Sequence, residues 1–191
     1  ERNLFGEKEV ILYVKGSGWD LGTIEKAGFA PVRLRVLRQM AGLESLDDLE
    51  MVKLQRAAMI DPSAPNPSVE AILHAILPFK FVDHTHADAV VTLTNTPRGR
   101  DYVREIYGSK ALLVPYVMPG FLLAKKIYEM TRNLDWKGIE GMILMHHGIF
   151  TFHDDAKASY ETMIRLVQEA EDFLLKQGAV VKPTQDAARE D

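Results

Sequence analysis

The sequence contains no cysteine. Disulfides, thiolate metal ligands and a cysteine nucleophile are therefore excluded. Any metal site has to be built from His, Asp and Glu. The same lack fits a reducing compartment, and the cytoplasm is the expected location. Long basic runs are missing too. The 23 lysines and arginines face 27 acidic side chains, for a formal net charge of -4. Nucleic acid and acidic membrane surfaces thus have no electrostatic attraction to this chain. No apolar stretch approaches the roughly 20 residues that cross a bilayer. The opening ERNLFGEKEV is charged and unlike a signal peptide. It lacks an initiating Met, so a piece trimmed from a longer chain is expected. The dinucleotide fingerprint G-x-G-x-x-G, the Walker A loop and the G-x-S-x-G elbow are all absent.

What is present is ordinary for one globular domain: 191 residues, 47% apolar and 26% charged. Glu9 to Lys15 (EVILYVK) is β-branched and aromatic and reads as a strand. The turn GSGWDLG follows, punctuated by Gly16, Gly18 and Gly22. Helices are expected over Arg33 to Met40 and over Leu46 to Ala57, the second capped by Ser45. Three prolines make a loop of Asp61 to Pro67. Ser68 then caps a helix over Val69 to Leu77, with Glu70 in its first turn. Strands are expected at Lys80 to His86, Ala111 to Tyr116, Gly141 to His147 and Ile149 to Phe152. Ala87 to Leu93 is ambiguous, with helix slightly favoured, and helices are expected at Arg98 to Tyr107, Gly120 to Asn133 and Ala156 to Lys176. Asp154 or Asp155 caps the last of these, His153 is part of that cap, and Gly178 stops it. The polar tail Lys182 to Asp191 reads as loose. Interleaved helices and strands predict an α/β or α+β fold, with a helix-flanked central sheet.

The chemistry is concentrated in Asp83-His84-Thr85-His86. Residues i and i+2 of a strand share one face, with Cα atoms about 6.6 Å apart at about 3.3 Å rise. Two imidazoles leaning together across that gap can meet one ion at about 2.0–2.1 Å. The competing reading is a pair of solvated histidines. The apolar flanks Phe81-Val82 and Ala87 to Val91 argue for a mostly buried strand and against it. Met145-His146-His147-Gly148 is the second feature. If it is strand, one of its two imidazoles can join His84 and His86, and the other points away. Three His ligands would leave an open position, as in catalytic zinc sites. Glu70 is either a helix-dipole partner or an acid/base beside a metal. His74 reads as a helix-surface or core residue. The turn Gly16-Ser17-Gly18 is able to offer backbone N–H groups to a phosphate.

Taken in order, P-S-V-E at 67–70, D-H-T-H-A-D-A at 83–89, P-Y-V-M-P-G at 115–120 and H-H-G-I-F-T-F at 146–152 resemble the class II aldolase/adducin family. The likeness runs from about Val14 to Leu174. The wording of the blocks is similar to the aldolase half of bifunctional rhamnulose-1-phosphate aldolase/alcohol dehydrogenase proteins. This resemblance implies a three-layer fold with a mainly antiparallel central sheet. It implies a zinc or other divalent ion on His84, His86 and His147, and an acid/base role for Glu70. It also implies substrate phosphate binding by Ser17, Gly18 and Ser68. The implied reaction is cleavage of a ketose 1-phosphate to dihydroxyacetone phosphate and lactaldehyde, through an enediolate whose charge the ion stabilises. A homotetramer is implied as well. Two departures stand out: Val69 replaces a second serine common in relatives, and the family's upstream Gly-Asn-x-Ser phosphate loop is not in this chain. Pentulose-phosphate 4-epimerases, dehydratases and the non-catalytic adducin heads share the family, and remain alternatives.

Overall fold

The computed structural model describes residues 1–2 and 5–179; the tail expected to be loose lies outside them. In chain order the elements are β1 (Ile11–Lys15), β2 (Phe29–Arg33), α1 (Leu34–Ala41), α2 (Asp48–Ala57), α3 (Ala71–Ile76), β3 (Phe81–Thr85), α4 (Asp88–Thr94), α5 (Gly99–Tyr107), β4 (Ala111–Val114), α6 (Phe121–Thr131), β5 (Gly141–Leu144), β6 (Gly148–His153) and α7 (Ala156–Lys176). Contacts gather them into two compact units. One is Glu1–Val82 with Val117–Lys137; the other is Asp83–Tyr116 with the chain from Gly138 onward.

In the first unit, β1 and β2 form a two-stranded antiparallel ribbon with Tyr13 opposite Pro31. No strand was expected at Phe29–Arg33. Pro31 cannot donate to a ladder, but a two-stranded ribbon tolerates it as an edge. Helix α2 starts two residues later than expected. Its cap is Asp47, whose carboxylate accepts the Glu50 N–H at 3.0 Å, and not Ser45. Helices α1, α3 and α6 pack together, burying Leu37, Ile72, Leu73, Phe121 and Ile127. The ribbon's end is tied to the proline loop. Ser17 N–H donates to the Asn66 carbonyl at 2.8 Å, and Ser68 N–H donates to the Lys15 carbonyl at 3.1 Å.

In the second unit a four-stranded sheet runs in the order β3-β6-β5-β4. Within it β5 pairs antiparallel with β6 and parallel with β4. A parallel pair needs a long crossover, and residues 115–140 provide it. Helix α7 spans the range expected for it. Asp155 caps it by accepting the Ala158 N–H at 2.9 Å, and His153 Nδ1 accepts the Asp155 N–H beside it. Its buried Met163, Leu166 and Ala170 recur at helical spacing. They close a core with Ile143, Ile149 and Val90. Tyr107 is sealed in that core and donates its hydroxyl to the Leu166 carbonyl at 2.8 Å. Burial pushes its pKa far up, so the phenol stays neutral.

Candidate metal centre

Strand β3 is an edge strand of intermediate burial, less buried than its apolar flanks suggested; Phe81 is exposed. Its alternation nonetheless separates two jobs. Asp83 and Thr85 face α7: Ser159 Oγ donates to Asp83 Oδ2 at 2.6 Å, and Thr85 Oγ1 donates to Met163 Sδ at 3.4 Å. Fixing these two on one face directs His84 to the other, and His86, one residue beyond the strand, follows it. The two rings stand edge to face with centroids 4.8 Å apart.

His147 joins them. Its ring centroid lies 5.2 Å from that of His84 and 4.8 Å from that of His86. One nitrogen from each of the three imidazoles lies within 4.8 Å of the others. His84 and His147 are partly buried and His86 is exposed. The chain reaches this position by a turn, not by the continuous strand that was expected. β5 ends at Leu144, and Met145 to His147 form a three-residue loop in which His147 N–H donates to the Leu144 carbonyl at 3.2 Å. The choice between His146 and His147 is thus made by a tight turn rather than by strand alternation. His146 takes φ 58°, the one left-handed non-glycine among the described residues.

Gly148 is the floor of the cluster. A Cβ there would collide with the Thr85 carbonyl oxygen and come within 3.1 Å of the His86 ring and 3.2 Å of the His84 ring. Only a residue without a side chain lets β6 approach β3 so closely.

The donor set fits a divalent ion. His84 Nδ1–H donates to the Ile149 carbonyl at 2.9 Å. That bond leaves the proton on Nδ1 and the lone pair on Nε2, the arrangement that metal-binding histidines use. Phe150 stacks on the His84 ring at 4.0 Å and 13°, which holds its plane. Three neutral nitrogens suit zinc and its transition-metal neighbours better than calcium or magnesium, which prefer oxygen.

The other expected residues lie in the first unit. Glu70 is the N-cap residue of α3, not a first-turn residue, and its side chain makes no capping bond. Ser68 Oγ accepts the Glu70 N–H at 3.2 Å, so Ser68 caps the bend before the helix. The antiparallel bridge of Gly16 with Pro67 brings their two segments together, with Ser17 opposite Asn66 and Ser68 opposite Lys15. Gly18 has φ 83°, open to glycine and costly to other residues. Sequence reasoning missed Ser159, which holds Asp83, the Ile149 carbonyl, which accepts from His84, and Asn95, which accepts from His146. No spacing rule connects a residue on α7 to a histidine 75 positions earlier, as Ser159 stands to His84.

A helix-flanked sheet carrying three convergent imidazoles defines an α/β module with a candidate metal site. Residues 4–174 match the model of the family described as class II aldolase and adducin N-terminal domain, and the chain belongs to that family. A solved N-terminal class II aldolase domain from Thermoplasma acidophilum is 41% identical, with a TM-score of 0.83, covering 91% of this chain and 79% of that one. A Bacillus subtilis protein named uncharacterized oxidoreductase YuxG is 36% identical over 174 residues, 91% of this chain. This chain spans 25% of that relative's length. The L-fuculose-1-phosphate aldolase of Thermus thermophilus shares the fold at 16% identity, with a TM-score of 0.52 over 87% of this chain and 80% of that one. Among the described residues no helix is long and apolar enough to cross a membrane.

Proposed function

We propose that this chain is a metal-dependent aldolase that cleaves a ketose 1-phosphate of the rhamnulose type to dihydroxyacetone phosphate and lactaldehyde. The observation that carries the reading is the convergence of His84, His86 and His147, with His84 already locked in a metal-ready tautomer. Family membership and the wording of the sequence blocks support it. A zinc or similar ion held by these three residues would act as a Lewis acid, drawing electron density from the substrate carbonyl while the carbon–carbon bond breaks.

The chain's own residues supply the rest. Glu70 is the acid/base that handles the proton at the carbon left behind when the aldehyde departs. Its backbone is held by the Ser68 hydroxyl oxygen, which leaves the hydroxyl proton of Ser68 to donate to a phosphate. Ser17 N–H is spent on the Asn66 carbonyl, so Ser17 serves through its hydroxyl, beside the backbone of Gly18. The unbroken family match from 4 to 174 supports a single domain of this type over that stretch. We further propose a cytoplasmic homotetramer, on the family likeness; a monomer by light scattering would contradict the assembly.

The test is an assay of rhamnulose 1-phosphate cleavage, read through dihydroxyacetone phosphate, before and after chelation. Cleavage should vanish with the metal and return with added zinc. Cleavage that survives complete metal removal overturns the reading. An epimerised or dehydrated product in place of the triose would move the reaction to the family's other activities.

A further inference from the structure

The three-residue loop between β5 and β6 is built in an unfavourable way. His146 occupies a left-handed conformation, φ 58°, that glycine or asparagine takes more readily. Something must hold it, and two groups do. His146 Nδ1–H donates to Asn95 Oδ1 at 2.6 Å. The Tyr116 ring meets the imidazole edge to face, centroids 5.6 Å apart and planes at 83°. Asn95 is the C-cap residue of α4, and Tyr116 lies just past the end of β4. The same stretch is pinned once more, because Met145 N–H donates to the Val114 carbonyl at 3.0 Å.

These bonds surround the one segment whose geometry decides where His147 points. Met145 before it is tied to β4, Gly148 after it is paired with Leu144, and His146 between them is tied to α4. We infer that Asn95 and His146 form a positioning couple: their hydrogen bond holds the left-handed turn and thereby presets the His147 imidazole toward His84 and His86. His146 in this account does not touch the ion. The inference rests on the metal-centre reading above, and its test is arranged to fail separately from it.

The experiment is a zinc competition titration against a chromophoric chelator on the purified protein, with the visible spectrum of the cobalt-loaded form as a second readout. Wild type should bind one zinc tightly; no binding at all would sink the metal centre itself. His146→Gly removes the ring and the backbone strain together. It should weaken zinc by about tenfold, the size seen when second-layer supports of metal ligands are lost, without lowering the melting temperature. Asn95→Ala should do the same, and the double variant Asn95→Ala/His146→Gly should be no weaker than either single one. Asn95→Asp keeps an acceptor for Nδ1–H and should retain wild-type affinity. The cobalt bands should shift in Asn95→Ala and not in Asn95→Asp. If wild type binds zinc while His146→Gly and Asn95→Ala bind it equally well with unchanged cobalt spectra, the couple positions nothing and the inference is wrong.

Discussion

The imidazole cluster and the glycine-serine turn are both expected to touch substrate, yet they are made of different material. The cluster is side chain on scaffold. Each element of β3 and β6 that frames it is fixed by a second residue: Asp83 by Ser159, Thr85 by Met163, His84 by the Ile149 carbonyl and the Phe150 ring. The turn at Ser17 and Gly18 is backbone on loop, exposed, and tied down where the Ser17 N–H donates to the Asn66 carbonyl. A metal demands nitrogens placed within tenths of an ångström. A phosphate, large and strongly charged, accepts several hydrogen-bond arrangements. On the proposed function, the more heavily braced region is the one whose ligand demands the tighter placement.

This contrast can be broken by substitution. The largest effect on metal belongs to His147→Ala, which should weaken zinc by at least about a hundredfold, above the loss typical of supporting residues. The melting temperature of the metal-free protein should barely change, as measured by competition titration and thermal melting. Gly148→Ala forces β6 away from the Thr85 carbonyl. It should cost about 2–4 kcal/mol in denaturant unfolding and loosen zinc as well, since the clash moves both His84 and His86. Ser159→Ala leaves Asp83 without that donor. A loss of about 1–2 kcal/mol in stability with a smaller fall in zinc affinity is expected. Ser17→Ala should do least: zinc affinity unchanged, and KM for the sugar phosphate raised a few fold, about the worth of one hydrogen bond. A Ser17→Ala variant with weakened zinc would erase the distinction between the two regions.

The legible parts of the sequence were those governed by short periods. His84 and His86 are two apart near the end of a strand, so their shared face followed from alternation alone. Helix α7 was placed between a cap at Asp154 or Asp155 and a stop at Gly178, and Asp155 is the cap. Less was readable where tertiary contacts decide. The Pro31 strand exists because β1 offers it a partner 18 residues away, Tyr13. Asp47 outcompetes Ser45 as a cap, and the serine signal pointed two residues too early. The parallel pairing of β4 with β5 is set by a long crossover that no local pattern announces. At Met145 to His147, two histidines before a glycine read as strand. The turn that selects His147 depends on Asn95, 51 positions earlier than His146.

The central claim is that His84, His86 and His147 together hold one divalent ion. Diffraction data collected on either side of the zinc absorption edge, from crystals grown with zinc, test it without reference to activity. The account predicts one dominant anomalous peak bonded to all three imidazoles, through Nε2 in the case of His84. A peak elsewhere, or none at those three rings in a zinc-saturated crystal, would contradict it.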